Sequence, residues 1–209
     1  MDFFSNFLQQ SITLFAIMDP IGISAMALSL LSTNITKSQI SKIAFKSTVT
    51  IVVAFIVVIT TGEAILKLFG IEENSLKVMG GLVLILMAMS MVMGPAKKDE
   101  KNQDKKNDEE LAVIPIGIPI AFGTGLFTTI IIFKHQAHTF LDLVSITLAF
   151  LLNALLFYLI LRNSIYIKKY LGVTGQNIIT KLMGLIVGAI AVQFIVSGVV
   201  SLVKGYWGA

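Results

Sequence analysis

Six apolar stretches of about twenty residues alternate with short polar connections along this 209-residue chain, at approximately 7–31, 43–66, 76–94, 111–133, 143–161 and 182–203. Roughly 20 apolar residues carry a helix across the hydrocarbon of a bilayer, so each stretch predicts one transmembrane helix. The expected fold is an all-α polytopic membrane protein with six spans. The third connection differs from the rest. Residues 97–110 hold five lysines and six acids, too little apolar surface to offset the entropy of ordering, which predicts a charged flexible linker. The chain then divides into a three-helix repeat at 1–94, a linker at 95–110 and a second three-helix repeat at 111–209.

Two short matches support the division. Pro20-Ile21-Gly22 in the first stretch returns as Pro115-Ile116-Gly117 in the fourth, 95 residues on; Lys77-Val78-Met79-Gly80 returns as Lys181-Leu182-Met183-Gly184, 104 residues on. With three spans per half, the second half enters the membrane from the opposite side. That is the inverted-repeat plan common among secondary transporters.

Composition narrows the class. Hydrophobic residues make up 56% of the chain and charged ones 13%, against roughly a quarter charged in soluble domains. Six spans leave no room for a nucleotide-binding or catalytic domain, so an enzyme is not expected. The net charge of +4 fits cytoplasmic loops rather than nucleic-acid binding. Twelve Lys and Arg fall on the odd-numbered connections and four on the other side; without the linker the ratio is seven to four. This places odd loops in the cytoplasm and both termini outside an inner membrane. The first stretch lacks a basic leader and reads as a retained helix. With no cysteine there is no disulfide or thiolate metal site, and His135 and His138, three apart, find only the distant Asp142 as a third ligand. Neither a metal nor a cofactor is expected.

Asp19-Pro20 carries the most information. A carboxylate at the midpoint of a span costs at least about 2.5–3.5 kcal/mol. Pro20 lacks an N–H and clashes with the preceding turn, so the helix must break there. Asp then Pro also reads as an N-cap followed by a first helical residue. Two half-helices result, with Gly22 and Ser24 keeping the second one's N-terminus small. Asp19 either caps that half-helix or binds a cation or ammonium, and one oxygen can do each. The fourth stretch is its counterpart: Pro115, Pro119, Gly117, Gly123, Thr124 and Gly125 cannot form a regular helix, and Thr124 is placed to cap a half-helix from Gly125. Irregular backbone at membrane depth is tolerated where it is buried or lines a polar cavity. Asn153 and Gln193, mid-span in the fifth and sixth stretches, either bind substrate or hold helices together. Gly184, Gly188 and Ala191, with Gly80 and Gly81, read as close-packing positions.

These motifs resemble the MarC family of bacterial and archaeal membrane proteins, also classed as neutral amino acid transporters. Asp19-Pro20-Ile21-Gly22 is similar to the family's Asp-Pro-aliphatic-Gly. Pro115, Pro119, Gly123 and Gly125 are similar to its proline-rich stretch ending Gly-Pro-Gly. Gly184-Leu185, Ile190-Ala191-Val192-Gln193-Phe194 and Gly198 are similar to its closing signature. The chain departs from the pattern at Ile23-Ser24-Ala25 and at Thr124. The resemblance implies cation-coupled transport of small neutral amino acids such as glycine or alanine, with a small-molecule substrate, a coupling cation and the lipid bilayer as partners. It leaves a homo-oligomer open. The expected site has Asp19 on the cation or the substrate ammonium, N–H groups near Gly22 and Gly123–Gly125 on the carboxylate, and Asn153 and Gln193 orienting the ligand. The rivals are an exporter of another small polar or antibiotic-like molecule, and a membrane partner that transports nothing.

Overall fold

A computed structural model describes residues 3–31, 35–94 and 122–207, and the described residues form seven helices with no strand among them. The first apolar stretch yields two: α1 (Phe3–Met18) and α2 (Pro20–Leu30). Pro20 supplies no N–H for the carbonyl of Ala16, and the chain turns instead at Asp19, whose φ of 39° is left-handed. Thr36 and Gln39 then cap each other reciprocally to start α3 (Lys37–Leu68). α4 (Glu73–Met93) follows, and α5 (Thr124–Gln136) is the described part of the fourth stretch. Thr139 and Asp142 form a second capping box for α6 (Phe140–Arg162). Last comes α7 (Ser164–Trp207), interrupted at Gly172, where φ 63° and ψ 177° are non-helical. Pro115, Gly117, Pro119 and the linker lie outside the described residues.

Five of these units, counting α1 and α2 together as Phe3–Ser29, are long and apolar enough to cross a membrane. The broken helix is the central one: its most apolar window is 56% buried, against 17% for α7. Around it the helices pair in set directions. Gly81 lies against the Ala191 carbonyl and Ile195, Gly184 against Met91 and the Ala88 carbonyl, and Gly198 against the Asn74 carbonyl. Numbers rising on α7 while they fall on α4 mean antiparallel helices. Small residues at the crossings let the backbones close to within a Cβ's width, as expected for Gly81 and Gly184. α3 and α6 are antiparallel too: Phe55 stacks on Phe150 at 4.0 Å, and Lys37 meets Tyr166 just beyond the end of α6. α1 lies on α6 through Gln10 and Ser145, at 2.7 Å. α5 lies on α3 through Gly62 and Ile131.

The ends of the bundle differ in charge. At one, where α3 and α5 finish and α4 begins, Glu73 accepts from Lys77 at 2.5 Å and from His135 at 2.8 Å, and Lys134 stands 3.8 Å from Glu63. At the other, where α3 and α7 begin and α6 finishes, lie Lys37, Lys42, Arg162, Lys168 and Lys169.

Candidate functional site

The break at Asp19 is held on both sides by its own backbone. The Asp19 N–H donates to the Phe15 carbonyl at 3.0 Å, ending α1, and the Ile23 N–H donates to the Asp19 carbonyl at 2.9 Å, starting α2. One carboxylate oxygen, Oδ1, accepts from the Gly22 N–H at 3.1 Å, which satisfies one of the donors a helix N-terminus leaves free. The Thr180 hydroxyl of α7 donates to the same carboxylate. Asp19 is therefore buried with donors from two elements. Left-handed backbone at a residue other than glycine costs of order 1 kcal/mol or more, a cost borne here by these bonds and by Pro20.

Gly22 is required by the closeness of this packing. A Cβ there would collide with Asp19 Oδ2 and come within 2.6 Å of Thr180 Oγ1. The expectation that the Gly22 N–H is free for a ligand is corrected: Asp19 Oδ1 takes it, because the short side chain folds back on its own turn. Ser24, fully buried, donates to the Ile21 carbonyl at 2.7 Å and accepts from Gln176 Nε2 at 3.3 Å. It ties α2 to α7 as Thr180 ties Asp19.

Gln176 and Thr180 fell outside the sequence expectation, since they precede the sixth apolar stretch. Their signal is spacing. Gln176, Thr180 and Gly184 follow one another at four-residue intervals, so they share one face of a helix that begins well before its apolar part.

The second break is built differently. The N-cap of α5 is Gly123, in extended backbone at φ −83° and ψ 179°, with no side-chain cap. A helix does start near Gly125, but Thr124 is its first helical residue and not its cap, which corrects the capping expectation. Gly125 is buried against Leu84 and Met87 of α4. A groove of about 670 Å³, almost wholly carbon-lined, runs along α3 beside Gly123 and Thr124, with Thr50 among its few hydroxyls. The two breaks are neighbours: a Cβ on Gly125 would stand 3.7 Å from Ile17 Cγ2, two residues before Asp19. Yet the side chain of Asp19 engages α7, while Gly123 and Thr124 border α3. Asp19 also sits nearer one end of the bundle than its position within the first stretch suggested. Its partner Thr180 is one turn before Gly184, which packs on Met91 in the last turn of α4.

Asn153 and Gln193 do not join Asp19. Asn153, 1% exposed, donates both N–H bonds of its amide, to the Ser11 carbonyl at 3.1 Å and the Ala149 carbonyl at 2.8 Å. Ser11 is eight residues before Asp19, about 12 Å along a helix. Asn153 thus joins α6 to α1. Gln193 lies on the exposed side of α7, away from the face that packs on α4 through Ala191 and Ile195.

A sequence model described as MarC family integral membrane protein matches residues 4–203. Among curated proteins, the chain is 29% identical to UPF0056 membrane protein YhcE of Escherichia coli, over 93% of this chain and 92% of the relative. It is 31% identical to UPF0056 membrane protein MJ1677 of Methanocaldococcus jannaschii, over 90% and 92%. It is 28% identical to a UPF0056 membrane protein of Aquifex aeolicus, over 95% and 94%. No solved structure matches the chain.

Proposed function

This chain belongs to the MarC family of integral membrane proteins, and on that premise we propose that it is a secondary transporter of small neutral amino acids, of the glycine or alanine type. A proton or sodium gradient drives it. The observation that carries this reading is the buried carboxylate at a helix break. A structural cap needs only a serine or threonine hydroxyl at far lower cost in a membrane, whereas Asp19 offers a charge to a cation or to a substrate ammonium.

In this reading the halves are inverted repeats. Supporting it, α5 starts 104 residues after α2, the interval that separates Lys77 from Lys181, and α4 runs antiparallel to α7 as α3 does to α6. The Asp19 break takes positive charge. The first turn of α5, without a side-chain cap, takes the substrate carboxylate on backbone N–H groups backed by the helix dipole. Release from the Asp19 side means breaking the bonds from Thr180 and Gln176, so α7 moves relative to α2 during the cycle. The lysine-rich end faces the cytoplasm of the inner membrane, both termini lie outside, and the energy comes from a gradient rather than from ATP.

The test is uptake of radiolabelled glycine and alanine into proteoliposomes under imposed proton or sodium gradients, beside an Asp19→Asn variant. Gradient-driven uptake that the variant loses supports the reading. Undiminished uptake by the variant would reduce Asp19 to a cap.

A further inference from the structure

We propose that residues 164–171, the helical segment before Gly172 in α7, together with Lys37 and Arg162, form a binding site for the phosphate headgroups of anionic phospholipids. The non-helical backbone of Gly172 separates this segment from the rest of α7. Its outward residues mix three kinds of side chain: aromatic Tyr166 and Tyr170, the latter 83% exposed; cationic Lys168 and Lys169; and aliphatic Leu171, with Val173 beyond the break. Rings and aliphatic carbon at the acyl boundary with ammonium groups reaching the phosphates are the pattern of an interfacial helix.

Among the described residues no carboxylate neutralises these charges. Lys37 Nζ lies 2.5 Å from the Tyr166 hydroxyl and 4.7 Å from the centre of its ring; Arg162 donates to the Tyr158 hydroxyl at 3.1 Å. These partners are phenols, which position a cation and leave its charge intact. Among the described residues four of the five acids, Glu63, Glu72, Glu73 and Asp142, lie at the opposite end, and the remaining one, Asp19, is buried. A surface of several cations without a carboxylate is complementary to a layer of phosphates. The chain's own segment 97–110 is the weaker occupant, since its six acids come with five lysines.

The proposal is independent of what the protein transports. Its test is native mass spectrometry of the purified full-length chain, titrated with phosphatidylglycerol or with phosphatidylcholine of the same acyl chains. The native chain is expected to prefer phosphatidylglycerol. Two lysines at a headgroup surface are together worth about thirty-fold in affinity, about five-fold each. A Lys168→Gln/Lys169→Gln variant therefore loses about that much for phosphatidylglycerol and nothing for phosphatidylcholine, while Lys168→Arg/Lys169→Arg retains the preference. Equal binding of both lipids by the native chain, or a preference unchanged in the glutamine variant, overturns the proposal. So does a preference that emerges only when the acids of 97–110 are neutralised, because the linker is then the occupant.

Discussion

The helices α2 and α5 start 104 residues apart, at Pro20 and Thr124, yet their N-termini solve the same problem by opposite means. At the first, a carboxylate folds back to accept the Gly22 N–H, and a second helix supplies Thr180 and Gln176 to hold the turn. At the second, Gly123 carries no side chain, no side chain among the described residues caps the helix, and the neighbouring surface is nearly all carbon. The first break carries an acid and is tied down; the second, among the described residues, is bare. A ligand with an ammonium at one end and a carboxylate at the other needs both kinds. The departures from the family pattern, at Ile23–Ala25 and at Thr124, fall one in each break.

The largest effect tests the charge itself. Asp19→Asn keeps the short polar side chain that tolerates left-handed backbone and still accepts from Gly22, so the protein remains folded. Gradient-driven uptake is expected to fall to background. Glycine at Asp19 also suits the backbone but removes the cap, so it loses uptake and unfolds at lower temperature than the asparagine variant. If both variants transport normally, the charged break is no more functional than the bare one.

The same substitution at the two breaks should separate them next. Gly22→Ala drives a Cβ into Asp19 Oδ2 and toward Thr180 Oγ1, both fixed in one hydrogen-bonded group; about 2–3 kcal/mol of destabilisation is expected. Gly125→Ala meets Leu84 Cδ2 at 2.7 Å, the far end of a flexible side chain, and should cost less, about 1 kcal/mol. Thermal unfolding of both variants in one detergent reads the difference. Equal shifts would mean that the Asp19 turn gives way as easily as carbon packing does.

A smaller effect isolates the tie to α7. Thr180→Val removes a hydroxyl that donates to a carboxylate and keeps the shape, so about 1.5–2 kcal/mol is expected, again by thermal unfolding. In uptake, the variant should alter the concentration of cation needed for half-maximal rate, because Asp19 loses a donor that competes with the cation. A stability loss with unchanged cation dependence would make Thr180 a tether only.

Much of the fold was legible because a bilayer imposes a length and forbids unsatisfied backbone. The apolar stretches and the break at Asp19-Pro20 follow from that alone, and the glycines at 81, 184 and 188 read directly as packing. What escaped depended on three dimensions. Pro115-Ile116-Gly117, the counterpart of Pro20-Ile21-Gly22 at an interval of 95, lies outside the described residues, and the next described helix, α5, begins at Thr124. The match at Lys77 and Lys181 has the same interval of 104 as the starts of α2 and α5. Gln176 and Thr180 escaped because hydropathy marks where α7 becomes apolar, whereas its helix starts at Ser164. Asn153 and Gln193 are both polar and mid-span, and only helix rotation decides that one is enclosed between α1 and α6 while the other faces outward.

That rotation supplies the smallest prediction. Gln193 matches the family's closing signature and stood among the expected ligand residues, but its side chain is exposed on α7, turned away from α4 and from both breaks. Gln193→Leu removes no bond within the chain, so stability should change by less than about 0.5 kcal/mol, and uptake should equal that of the native protein. Asn153→Leu, at the same depth of sequence reasoning, strips Ser11 and Ala149 of a shared donor and should cost about 1–3 kcal/mol. If Gln193→Leu instead abolishes uptake in a folded protein, α7 must rotate during the cycle to bring that amide inward. The tie between α7 and the charged break would then be the pivot of that movement, and the two breaks would differ in motion as well as in chemistry.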